Sequence, residues 1–92
     1  VPRHKTENKK ELELFGQRVR YYRVQRRWSQ EALAFAAGLT HQQVSFYELG
    51  KGSPSFDKFI TMCKELGVGP DDLLGFADWG SGTVIDSPLL GG

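Results

Sequence analysis

From Leu12 the apolar residues Leu12, Phe15, Val19 and Tyr22 recur at steps of three and four. That spacing puts them on one face of an α-helix and predicts a first helix running to about Arg26. The preceding residues are polar, basic and without periodicity, so residues 1–10 read as a flexible basic arm. Ser29 is suited to cap a second helix, with Leu33, Ala34 and Ala37 turned inward. Gly38 ends that helix, because glycine enters the left-handed conformation without a Cβ penalty. Thr40 then caps a third helix, which carries Val44 and Tyr47 inward and stops at Gly50. Beyond the turn Gly52-Ser53-Pro54, Ser55 caps a fourth helix whose expected buried side is Phe56, Phe59, Ile60 and Cys63. Gly67 terminates it, and Pro70 opens a short fifth helix through Leu73 and Leu74.

Five short helices and no convincing strand predict an all-α fold, a compact five-helix bundle over residues 11–76. The stretch 77–92 differs in kind. Gly80, Gly82, Pro88 and Gly91-Gly92 favour a loose tail, yet Trp79, Val84, Ile85, Leu89 and Leu90 are apolar. Packing back on the domain, a dimer contact and a linker to a further domain all stay open.

Composition narrows the class. A chain of 92 residues is one domain with a modest core. No apolar run approaches the roughly 20 residues that span a bilayer, and nothing near Val1 reads as a secretory segment. The first residue is not methionine, which reads as a trimmed chain. A lone cysteine, Cys63, excludes an internal disulfide framework and suits a reducing cytoplasm. Two histidines and one cysteine, unclustered, argue against a zinc site. No serine or cysteine stands beside a histidine in a nucleophilic arrangement, and Gly50-Lys51-Gly52 matches no phosphate loop. No cofactor, metal or enzymatic activity is expected.

The net charge of +1 conceals an asymmetry. Residues 1–30 hold nine Lys/Arg against Glu7, Glu11 and Glu13, a balance of +6, whereas three lysines face eight acids in the remainder, a balance of −5. Basic charge gathered on one part of a fold suits a polyanion.

The informative segment is Ser29–Gly50: two helices joined by the tight turn Ala37-Gly38-Leu39. That is a helix-turn-helix, whose second helix lies in the major groove of DNA. Ala34 lets the helices approach, Gly38 permits the turn, and Val44 and Tyr47 anchor the second helix from behind. Its outward face, His41, Gln42, Ser45 and Phe46, is free to meet base edges. A glutamine can bond adenine bidentately and an aromatic can touch the thymine methyl, which points to an A·T-containing half-site. Gln43, Lys51 and Ser55 are better suited to phosphates, as are Arg26, Arg27 and the neighbouring Ser29 at the turn between helices one and two. One such helix reads only a few base pairs, so specific binding calls for two, about 34 Å apart. Helix five and the tail around Val84-Ile85 are the candidate dimer surfaces.

The residues Phe15-Gly16-Gln17-Arg18-Val19-Arg20, Arg23, Trp28-Ser29-Gln30-Glu31 and Leu33-Ala34 resemble the first two helices of the Cro and phage-repressor (XRE) family. Thr40 to Glu48 and Gly50-Lys51-Gly52-Ser53-Pro54-Ser55 resemble its recognition helix and following loop, and Leu66-Gly67-Val68 with Asp71-Asp72-Leu73-Leu74 its closing helices. The likeness covers about residues 12–76. It implies a lambda-repressor-like regulator of transcription that binds double-stranded operator DNA as a symmetric homodimer. By the same resemblance, Gln30 touches a phosphate and braces the recognition helix, while Arg23 and Glu48 form a structural pair. The chain departs from the family in having no Lys or Arg on the outward face of helix three and in placing Phe35, Phe46 and Leu49 at expected surface positions. Phe46 therefore fits DNA or a protein partner, and Phe35 reads as a shielded edge of the core. Two alternatives follow: a protein-binding module using Phe35, Phe46 and Leu49, and the DNA-targeting domain of a longer protein.

Overall fold

The computed structural model describes residues 2–75, with side chains from Asn8 onward. Among these residues there are five helices and no strand: α1 (Pro2–Gln25), α2 (Gln30–Ala37), α3 (His41–Glu48), α4 (Phe56–Leu66) and α5 (Pro70–Leu74). Phe76 and the tail, with the expected dimer contacts at Val84 and Ile85, lie outside the described residues.

The helix ends follow local chemistry. The hydroxyls of Ser29, Thr40 and Ser55 accept the N–H groups of Ala32, Gln43 and Lys58, satisfying donors that the first turn of a helix leaves unpaired. Gly38 and Gly67 close α2 and α4 in the left-handed region, with φ of 70° and 73°. The end of α1 differs, since the left-handed residue is Arg27, at φ 61°. Its N–H reaches the Val24 carbonyl and that of Trp28 reaches the Arg23 carbonyl, a Schellman closure built without glycine.

Helix α1 begins at Pro2, so most of the expected arm of residues 1–10 continues the first helix. Arg, Lys and Glu, which make up half of this stretch, are good helix formers, and a solvated turn needs no apolar stripe.

All five helices contribute to one core. Val19, Leu33, Val44, Met62 and Leu73 are wholly enclosed, and Phe15, Ala34, Ala37, Tyr47, Cys63 and Leu66 nearly so. Phe15 meets Phe59 across α1 and α4 with ring centres 6.1 Å apart. Tyr22 and Trp28 are half-buried against this cluster. Burial pushes the Cys63 thiol above its ordinary value, with Asp72 and Asp71 adding to the rise, so it stays a protonated core filler.

Two expectations for the core are corrected. Phe56 is 76% exposed at the first turn of α4, and Met62 and Leu66, further along the helix, are buried instead. Phe35 is 90% exposed. It lies on α2 opposite Leu33, Ala34 and Ala37, and a helix this short buries one stripe only.

Candidate nucleic-acid interface

Helix α3 is held from behind with little slack. At Gly16 of α1 an added Cβ would collide with the backbone oxygens of Tyr47 and Glu48, so α1 and α3 touch backbone to backbone. Beside this contact, Arg23 grips Glu48 with two bonds, Nε to Oε2 at 2.6 Å and NH2 to Oε1 at 3.0 Å. The side chains are 12% and 4% exposed. Arg23 also donates to the Trp28 carbonyl at 2.8 Å, which ties the α1–α2 junction into the same group. Gln30 Nε2 adds a bond to Glu48 Oε1 at 2.9 Å. Each carboxylate oxygen therefore has a donor, the condition under which an enclosed ion pair is tolerated.

The opposite side of α3 is open. His41, Gln42, Gln43, Phe46 and Leu49 are exposed and Ser45 is half-buried. His41, Gln42, Ser45, Phe46, Leu49 and Lys51 line a shallow depression of about 360 Å³. The expected base-contacting set thus shares one surface, and Leu49 and Lys51 share it too. His41 Nε2 lies 2.8 Å from Gln30 Oε1, which links the front of α3 to Glu48 behind it. The Gln43 side-chain carbonyl accepts the Thr40 N–H at 2.9 Å, closing a capping box and leaving the Gln43 amino group available as a donor.

The remaining cationic and hydroxyl candidates separate by what they already hold. Arg27, Ser29, Lys51 and Ser55 are exposed, and the two serines, though they cap helices, keep their hydroxyl hydrogens for an acceptor. Arg26 is engaged inside the protein: NH1 donates to the Leu66 carbonyl at 3.3 Å, and the guanidinium lies 4.7 Å from the Trp28 ring centre. The turn between α2 and α3 is fastened by Lys58, whose Nζ donates to the Gly38 carbonyl at 3.0 Å.

Sequence reasoning left out two positions that shape this site, Gly16 behind α3 and Gly52 beside its front. Gly16 stood in the family motif with no stated role, and Gly52 was read only as a turn residue. An added Cβ at Gly52 would come 2.5 Å from Phe46 Cε2. Both are packing contacts, Gly16 with a distant part of the chain and Gly52 with the helix just before it. Only a steric demand unrelated to turns marks them, and periodicity does not carry it.

Among the described residues no group of His, Cys, Asp and Glu is placed to hold a metal ion, and no helix is long and apolar enough to cross a membrane.

Comparison with known proteins agrees with this arrangement. A helix-turn-helix family model matches residues 19–73. The control protein C.BamHI of Bacillus amyloliquefaciens is 42% identical over 69 residues, spanning 74% of this chain and 85% of that protein. An uncharacterised prophage-derived HTH-type transcriptional regulator, YonR of Bacillus subtilis, is 34% identical over 61 residues, 66% of this chain and 56% of that protein. Among solved structures, the restriction-modification controller protein C.AhdI of Aeromonas hydrophila superposes with a TM-score of 0.64 at 35% identity, covering 67% of this chain and 94% of that one. The chain belongs to the XRE-type helix-turn-helix family, a class of DNA-binding regulators of transcription.

Proposed function

We propose that the chain binds a two-fold symmetric operator by laying α3 in the major groove, one copy on each half-site. His41, Gln42, Ser45 and Phe46 read base edges. Arg27, Ser29, Gln30, Gln43, Lys51 and Ser55 hold phosphates, and Arg26 contributes least because its guanidinium already binds the Leu66 carbonyl. The carrying observation is the contrast across α3, a rigidly braced back and a polar, open front. A non-enzymatic regulator of this kind works as a homodimer on DNA in the cytoplasm. Similarity to C.BamHI and C.AhdI over most of their lengths supports the finer reading that it controls a restriction-modification system.

A second reading rests on Phe35, Phe46 and Leu49, which are 90%, 46% and 63% exposed and offer apolar surface to a protein partner. Mobility-shift titration on mixed genomic DNA at two salt concentrations separates the two. Retention of particular fragments against competitor is expected. Arg27→Gln and Lys51→Gln should weaken binding to all sequences alike, each lowering the slope of log affinity against log salt by about 1. Absence of any retained fragment would favour the protein-binding reading.

A further inference from the structure

Phe46 is only half accessible, and the packing on its covered side is specific. One ring edge lies over Gly52 so closely that an added Cβ there would stand 2.5 Å from Cε2, 3.3 Å from Cδ2 and 3.4 Å from Cζ. The other flank meets Tyr47 edge-on, with centres 6.2 Å apart. Gly52 has an ordinary backbone conformation, since its φ is not among the positive values. Its missing side chain therefore serves Phe46 rather than the turn. With Leu49, Phe46 makes an apolar seat in the depression that His41 and Gln42 share at the start of α3.

In the major groove the apolar group that base edges display is the C5-methyl of a pyrimidine. Facing the seat, the cytosine N4 amine or a purine N7 would lose water and gain no partner, which disfavours those bases. The outward face of α3 has no Lys or Arg to bond guanine in compensation. A wedge between base pairs would need Phe46 to protrude, and its packing on Gly52 and Tyr47 holds it back in the surface.

The geometry points to a methyl-reading seat: Phe46 and Leu49 recognise the 5-methyl group of a pyrimidine, and Gly52 is the positioning residue that sets the Phe46 ring. This rests on α3 being the reading helix. The seat distinguishes thymine from uracil, and it takes 5-methylcytosine better than cytosine at the same step.

A duplex selected from a random library provides the probe. Each thymine is replaced in turn by deoxyuridine, and each cytosine by 5-methylcytosine. Wild type should lose about fourfold in affinity at one thymine per half-site, the worth of one buried methyl group. A cytosine placed at that step should regain affinity on methylation. Phe46→Ala should be indifferent to both changes. Gly52→Ala should lose the methyl preference while keeping its thermal midpoint and non-specific affinity, because a ring swings aside more easily than backbone. Sensitivity at no thymine in wild type, or unchanged sensitivity in Phe46→Ala, overturns the seat. Unchanged sensitivity in Gly52→Ala overturns the positioning role. A library yielding no selected duplex overturns the DNA-reading function itself, and the seat with it.

Discussion

The two sides of α3 make opposite use of eight residues. On the back, Val44 and Tyr47 are buried, and Glu48 holds Arg23 and Gln30. On the front, Gln42 and Phe46 face outward, with Leu49 just past the helix end, and little holds them except Gly52 and Tyr47 against the Phe46 ring. Substitutions behind the helix act on the folded state of the whole domain, whereas, on the proposed function, substitutions in front act on what the domain binds. A single helix can therefore vary its target without renegotiating its fold.

The sharpest way to break this contrast lies behind the helix. Gly16→Leu should cost more than about 5 kcal/mol, in the exceptional range for one substitution, because backbone oxygens of Tyr47 and Glu48 occupy the required space. Loss of the cooperative thermal transition is the readout. A variant that melted near the wild-type midpoint would show that α1 and α3 can part. Glu48→Ala should follow at about 3–5 kcal/mol by urea denaturation, since it strands the enclosed Arg23 guanidinium and the Gln30 amide.

Front-side changes should be smaller and of another kind. Gln42→Ala is expected to cost about 1–3 kcal/mol at the specific site and to leave unfolding within about 0.5 kcal/mol of wild type. Binding to singly substituted half-sites measures it; identical base discrimination in both proteins would remove Gln42 from the reading set. The smallest effect sharpens the comparison at the edge of the surface. Arg27→Gly relieves a left-handed side chain and should stabilise by up to about 1 kcal/mol while weakening binding to all DNA. A gain in stability with affinity intact would mean that the strain holds no phosphate contact.

Much of this architecture was legible from short-range chemistry. Ser29, Thr40, Ser55, Gly38 and Gly67 announce helix ends because caps are decided within four residues. The reading weakens where a feature depends on distant chain. On α4 the expected Cys63 and Phe59 do face the core, but Phe56 does not, and Met62 and Leu66 join it, because several apolar stripes fit one helix and only the neighbours choose among them. The left-handed Arg27 was invisible because a Schellman closure usually advertises itself with glycine. The Arg23–Glu48 pair came from family resemblance alone: nothing in the intervening 24 residues says that the two meet.

The bond between Gln30 and Glu48 carries a further consequence, concerning tautomers. A carboxylate offers only acceptors, so the Gln30 amino group must point toward Glu48 and its carbonyl toward His41. The imidazole must then hold its proton on Nε2, and in the neutral ring the free lone pair is on Nδ1, 3.8 Å from Glu31 Oε2. Neutral His41 can thus only accept at its free nitrogen, as from an adenine or cytosine amine. Protonated, it offers an N–H there, suited to guanine or a phosphate, and drawn also to Glu31. The polarity that the imidazole would present in the proposed groove is set through one amide by a carboxylate on the other side of the helix.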